Sequence, residues 1–363
     1  MSGLRIGTRG SALALAQAEH VSALLAKRRP GLAVEIEVVR VSGDAPSENR
    51  GGGDGGGGGD RGGVQEDTIV AAGESPAGGP GVQDKSRWVD AIEDALLTGT
   101  IDLAVHSAKD VPGELADGLT LLGAPPRAAV EDVLCIGVGS PARGGDSGDG
   151  DDSAGGGAGP TGLDRLVEGA RVGTSSIRRA AQLRAAREDL DVVAMGGNVD
   201  TRLSILARGG FDAIVLARAG LQRLGREHAI GAVLDPARFV PAPGQGALAL
   251  QARAGDSRAG EAATAISDAD TFACLLAERA VASALDASCH TPLGAYATPA
   301  GCGCLGLRAW VGLPDGSAWV ADELLGGFYD PASLGRRVAE RMRLAGAEDL
   351  LRRAEEMAGV AGI

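Results

Sequence analysis

Alternation of strand and helix patterns constrains this chain more than any other feature. Residues 4–8 (LRIGT) read as a short strand and run at once into 11–28 (SALALAQAEHVSALLAKR). There Leu13, Val21, Leu24 and Leu25 form one apolar stripe, and Ser11 stands where it can cap the first turn. Residues 33–41 alternate as a strand. In 88–97, Trp88, Val89, Ile92, Leu96 and Leu97 lie opposite Asp90, Glu93 and Asp94, the pattern of an amphipathic helix. The rhythm continues with a buried strand at 101–106, a strand at 170–173, a helix from about 175, a strand at 191–195, a helix at 199–208 and a strand at 212–218. Strands separated by helices need crossover connections, so parallel α/β sheets are predicted. A strong helix at 270–287 follows, then strands near 305–324, a Gly-Gly break and a helix from about 331.

Two tracts interrupt this pattern. Ten of the thirteen residues 51–63 are glycine, and 140–160 is rich in Gly, Asp and Ser, so no packed structure is expected in either. A chain of 363 residues suffices for two or three domains. With 44% hydrophobic but only 2% aromatic residues, its cores must be aliphatic. A net charge of −13 argues against a nucleic-acid partner, which would require a basic face. No run approaches the roughly 18 apolar residues of a membrane span. The start, MSGLRIGTRG, lacks an apolar signal core, so a cytoplasmic protein with no membrane partner is expected. Five cysteines in so long a chain do not make a disulfide framework. Cys302 and Cys304 form a C-x-C without further zinc ligands, so no metal is expected.

Several short stretches carry chemistry. In 101–112 (IDLAVHSAKDVP) an apolar strand delivers His106, Ser107, Lys109 and Asp110 before Pro112 closes the segment, which is either a solvated turn or a working site. In 171–184 (RVGTSSIRRAAQLR) a strand enters Ser175 and Ser176 and then a helix, whose free N–H groups and hydroxyls suit an anion. Arg178 and Arg179 in the first turn oppose the helix dipole, and a helix that needed only capping would gain nothing from them. An anion pocket is therefore favoured over a capped surface helix. Arg9, Arg202 and Arg223 each sit beside an element end. Singly, each fits a solvated surface position. Together they suggest a cleft for a small ligand bearing several carboxylates, since guanidinium forks bind carboxylate bidentately. The GQG of 241–250 reads as a tight turn, or equally as a plain interdomain turn. Cys289 follows a helix and falls on a loop, where a thiol is available for chemistry; adjacent His290 does not make a Cys–His dyad, because neighbouring side chains point apart.

Seven segments in order, LRIGTRGSALALAQ, IDLAVHSAKDVP, VGTSSIRRAAQL, GNVDTRL, DAIVLARAGLQRLG, PAPGQGALAL and SCHTPLGAYA, make the chain resemble the porphobilinogen deaminase (hydroxymethylbilane synthase) family. The resemblance implies three domains. The first two are doubly wound α/β units like type II periplasmic binding proteins, with a cleft between them, and the third is a small α+β domain. The expected bounds are 1–125 plus about 245–266, with an insertion at 45–84; 126–244, with an insertion at 140–160; and 267–363. It also implies a dipyrromethane cofactor held by a thioether to Cys289, and a monomeric enzyme joining four porphobilinogens head to tail with loss of ammonia. Asp110 maps to the catalytic carboxylate. Loss of ammonia from a pyrrolylmethylamine leaves an azafulvene-like cation, which an ionised carboxylate stabilises as charge develops. Lys109 would keep that carboxylate ionised. The implied cofactor contacts are Ser107, Lys109, Ser175, Ser176, Arg178, Arg179 and Arg202, with Arg9, Ser11, Arg223 and Lys85 binding substrate.

The chain departs from the family pattern at several points. Gly196 stands where an arginine is usual before GNV, Ser288 replaces Gly before the cofactor cysteine, and Gln251 replaces the acid after GQG. Residues 127–133 keep Arg127 and Asp132 but lose the middle charges of the family pattern. The alternative readings are an impaired paralogue and a non-enzymatic two-lobed protein for a polycarboxylate ligand.

Overall fold

The computed structural model describes residues 3–40, 83–137, 162–287, 291–301 and 303–360, the side chains of 83–88 and 358–360 excepted. Cys289 with its neighbours Ser288 and His290, Cys302, the side chain of Lys85 and nearly all of both Gly-rich tracts lie outside the described residues.

The chain begins β1 (Leu4–Thr8), α1 (Ala12–Arg28), β2 (Val34–Val38), α2 (Gln83–Leu97), β3 (Leu103–Ser107) and β4 (Leu119–Gly123). It continues β5 (Asp132–Ile136), β6 (Arg171–Thr174), α3 (Ile177–Ala186), β7 (Asp191–Ala194), α4 (Val199–Ala207), β8 (Ala213–Ala217), α5 (Arg218–Arg223) and β9 (Ala232–Val233). Then come β10 (Leu248–Arg253), α6 (Ser257–Ile266), α7 (Ala269–Ala284), β11 (Leu293–Pro299), β12 (Cys304–Gly312), β13 (Trp319–Gly327), α8 (Pro331–Leu344) and α9 (Ala347–Val360).

These strands form three sheets: β2-β1-β3-β10-β4, β7-β6-β8-β5-β9 and β11-β12-β13. The first two share one plan. Two strands flank β1 in parallel, as two flank β6, and the fourth strand runs antiparallel. The expected parallel pairing holds for β1–β3 and β6–β8, and β5 and β10 add an antiparallel strand to each sheet. Each is the strand the chain forms just after crossing from one sheet to the other, so it enters from the opposite end. Helices cover both faces of each sheet, the doubly wound arrangement. In the first, α1 and α6 bury Val21, Leu25, Ala259 and Ile266 on one face, while α2 buries Ile92 and Leu96 on the other. In the second, Leu183 of α3 packs on one face and Leu206 and Leu221 of α4 and α5 on the other. The cores are aliphatic, as the low aromatic content requires, each fully buried Leu or Ile contributing about 1.5–3 kcal/mol.

The third sheet is an antiparallel meander backed by α7, α8 and α9 through Val281, Val338, Met342 and Leu350. Strand β13 runs through the Gly-Gly expected to break it, because Gly326 and Gly327 still pair with Leu305 and Cys304. The 88–97 helix begins earlier, at Gln83, and α6 and β11 are elements that periodicity did not mark.

Two chain segments cross between the first two sheets, and they touch. The amide of Ala128 donates to Gly246 O (3.1 Å) and the Arg127 Nε to Gln245 O (2.9 Å). The GQG turn makes this approach possible. Gly244 and Gly246 have φ of 74° and 83°, and a Cβ on Gly246 would lie 2.6 Å from Ala128 O. A Cβ on Gly244 would lie 2.9 Å from the backbone of Ala108, so this crossing braces the segment that carries Asp110.

Candidate active site

The carboxyl ends of the parallel strands deliver the motifs, where ligands bind in open α/β sheets. After β1 the chain presents Arg9 and Ser11, whose hydroxyl caps α1 by accepting from Ala14 N at 3.3 Å. After β3 it tightens into a single 3-10 turn, Ala108–Asp110, pinned by the Ala108 amide on Ala247 O (3.0 Å). The two strand ends meet in a cavity lined by Thr8, Arg9, Ser11, His106, Ser107 and Asp110. Lys109 and Asp110 are half-buried on the turn. The segment 106–110 is therefore a constrained cavity wall, not a solvated turn.

His106, at the start of this wall, is buried, its Nε2 2.9 Å from Gln251 Oε1. Burial pushes the imidazole down to about 4, outweighing the Gln251 bond and the nearby Asp110, which act the other way. The ring is neutral at ordinary pH.

The second lobe contributes a separate set. Arg202 donates from Nη2 to Ser175 Oγ (2.7 Å) and from Nε to Gly197 O (2.8 Å), joining the ends of β6 and β7. Burial, and then the neighbouring Arg179 charge, lower the Arg202 guanidinium, which an arriving anion would relieve. Gly196 beside it is exposed, and a Cβ added there would meet no atom within 4 Å. Arg223 reaches back to the crossing, donating to Gly246 O at 2.8 Å, and burial lowers it to about 10.

Arg178 and Arg179 already meet an anion of the chain itself. Both are buried and grip the carboxylate of Asp132 from two sides, Arg178 Nη2 at 2.8 Å and Arg179 Nε at 2.9 Å. Arg178 also donates to Val240 O and Arg179 to Val215 O. Asp132 is therefore an internal anion shared by two cations at a helix start. Burial alone would raise its carboxyl; the two guanidiniums outweigh that and hold it at about 2. Ser176 likewise has a structural task, capping α3 through Arg179 N.

The third unit is fastened to the other two by groups that sequence reasoning passed over. Glu278 of α7 is fully buried and accepts from Arg127 Nη1 (2.6 Å) and Nη2 (3.0 Å), Gly244 N (2.6 Å) and Ala297 N (2.8 Å). Arg279, the next residue, donates to the carbonyls of Val111, Pro112 and Gly113, just past Asp110. No local pattern marks Glu278 or Arg279, since both lie on an ordinary helix far along the chain from their partners. Of the described cysteines, Cys135 and Cys274 are buried, and burial pushes their thiols up to about 11 and about 12, outside the range of a working nucleophile. Among the described residues, no helix is long and apolar enough to cross a membrane, and no group of His, Cys, Asp and Glu could hold a metal.

Two family models match the chain: porphobilinogen deaminase, dipyromethane cofactor binding domain, over residues 4–51 and 78–261, and porphobilinogen deaminase, C-terminal domain, over 272–343. Relatives named porphobilinogen deaminase align almost end to end. The protein of Xanthomonas oryzae pv. oryzae is 39% identical over 97% of this chain and 99% of its own length. That of Syntrophobacter fumaroxidans is 36% identical over 96% of each, and that of Deinococcus deserti 38% identical over 98% of this chain and 100% of its own. Among solved structures, the periplasmic aliphatic sulphonate binding protein SsuA from Escherichia coli aligns with 78% of this chain and 70% of that one at 17% identity. Its TM-score of 0.37 is below the level at which two folds are called the same.

Proposed function

The chain belongs to the porphobilinogen deaminase family, and from that premise we infer that it is the enzyme that condenses porphobilinogen head to tail, releasing ammonia and forming hydroxymethylbilane for tetrapyrrole synthesis. The reaction is a group transfer, and a cytoplasmic monomer is the form we propose. The observation that carries the mechanism is the cavity where the ends of β1 and β3 set Asp110 beside Arg9, Ser11 and Ser107.

The family's dipyrromethane supplies, when bound, a pyrrole carbon to which the incoming substrate is joined. It carries carboxylates, which call for cations and hydroxyls, and pyrrole N–H groups, which call for an acceptor. This chain offers both kinds. Arg202 with Ser175, and Lys109 with Ser107, would hold the carboxylates, and Asp110 would accept from pyrrole N–H. Cys289 would provide the thioether; buried Cys135 and Cys274 are chemically unsuited to it. Arg178 and Arg179 act from behind in this scheme, with Asp132 fixing the helix whose start presents Ser175.

Substrate carboxylates would be met by Arg9, Ser11, Arg223 and Lys85. Asp110 would then stabilise positive charge developing on the pyrrole as ammonia departs, from a fixed position in a partly water-excluded cavity. Its turn is held on three sides, by Ala247, Gly244 and Arg279, so little reorganisation accompanies that charge.

The test begins with intact mass. Active protein should carry a discrete added mass that Cys289→Ser lacks, and an active preparation with a bare cysteine would defeat the assignment. Asp110→Ala should retain the added mass and lower kcat by about 10²–10³-fold, the loss typical of removing one preorganised electrostatic group. Near-normal turnover would remove Asp110 from this role.

A further inference from the structure

Behind the cavity, three buried side chains from three elements form one line of hydrogen bonds. His106 Nε2 meets Gln251 Oε1 at 2.9 Å, and Gln251 Nε2 donates to Glu93 Oε1 at 2.8 Å. All three are 8% exposed or less. The direction of this line follows from donor chemistry. A carboxylate only accepts, so the amide NH2 of Gln251 faces Glu93. The amide oxygen, which also only accepts, then faces the imidazole, and Nε2 must carry the hydrogen.

We propose that Gln251 is a positioning residue for the condensation inferred above: directed by Glu93, its amide holds His106 as the neutral Nε2–H tautomer at the wall that carries Asp110. An imidazolium there would offset the negative charge that Asp110 contributes. The charged groups around His106 are divided. Asp110 from its own segment favours a cation, while Arg279 of α7 and Arg9 of the β1–α1 turn oppose one; Glu93 of α2 meets the ring only through Gln251. A glutamate at 251 would tip this balance. Two carboxyls in line beside an imidazole must share a proton with it, whereas an amide has no proton to exchange and fixes the tautomer. Gln at 251 therefore brings no titrating proton of its own to the site.

The inference rests on the deaminase reading, but its main readout does not require turnover. The full chain has four histidines, so ¹⁵N-histidine labelling with His106→Gln as the assignment control isolates one imidazole. Its spectrum should show the neutral Nε2–H pattern throughout the neutral pH range. Gln251→Glu should shift it toward the protonated pattern and give kcat a new acid limb, falling about tenfold per pH unit, with KM little changed. Glu93→Gln keeps the shape but frees the amide to turn, so mixed tautomers should appear. A wild-type ring in the Nδ1–H or protonated form overturns the proposal. So does an unchanged spectrum and pH profile in Gln251→Glu, or a pure Nε2–H signal in Glu93→Gln. If wild-type protein shows the expected tautomer but does not consume porphobilinogen, the functional reading fails and the hydrogen-bond line stands.

Discussion

Glu278→Gln removes one charge from the junction of all three units and changes almost nothing in shape. The carboxylate takes four N–H donors, two from Arg127 and one each from the backbone of the crossing and of β11. The glutamine keeps one oxygen but turns an NH2 toward donors and leaves Arg127 buried without its counter-charge. Burial would lower the Arg127 guanidinium, and the charge and hydrogen bonds of Glu278 are the main influence that carries it above its usual value. Breaking a buried pair from one side costs about 3–5 kcal/mol. An independent tally agrees, since two charge-assisted bonds are worth about 1.5–3 kcal/mol each. We expect a loss of about 4 kcal/mol, a large part of the roughly 5–15 kcal/mol that holds a folded chain together. Urea unfolding followed by two probes measures it, with coincident transitions needed to treat the change as one step. Adding Arg127→Met to Glu278→Gln should recover part of the loss, because no uncompensated cation then remains. A loss below about 1 kcal/mol, or a double variant that simply sums the two singles, refutes the argument.

Acid sensitivity follows from two groups of opposite kind. His106 stands at about 4 in the folded chain against 6.5 when free, so the unfolded chain binds the extra proton between those values. Stability should fall by up to about 3 kcal/mol as pH drops through that window, and His106→Gln should flatten this part of the unfolding curve. Asp132 is held at about 2 against 3.8, so its contribution of about 2 kcal/mol is present above 3.8 and lost as pH falls toward 2. Asp132→Asn should leave two buried guanidiniums without an anion and lower stability by about 3–5 kcal/mol in thermal unfolding at neutral pH. Gly196→Arg should fold normally, because its Cβ meets nothing within 4 Å, and lower KM for porphobilinogen several-fold by adding a carboxylate contact; an unchanged KM would show that the lost arginine was not missed. Arg202→Ala should weaken carboxylate binding while leaving the fold intact, as its bonds reach only Gly197 O and Ser175.

The alternation of apolar strands with capped amphipathic helices was enough to predict the α/β class, and Ser11 and the glycines of GQG announced their turns correctly. Those features are local: a cap or a positive φ is satisfied within a few residues. The motif resemblance likewise identified the family, because short runs such as HSAKD and GTSSIRR are contiguous in the chain. What the tertiary structure alone decided is where charge is neutralised. Arg178 and Arg179 looked like ligands for an anion from outside, yet Asp132, far away in sequence, is the anion they hold. Glu278 and Gln251 gave no sign of their work, since a side-chain partner of each lies more than a hundred residues away along the chain, at Arg127 and His106. A buried charge or amide must find its complement somewhere, but the energy that enforces this is indifferent to sequence separation, so only the folded chain reveals which partner it found.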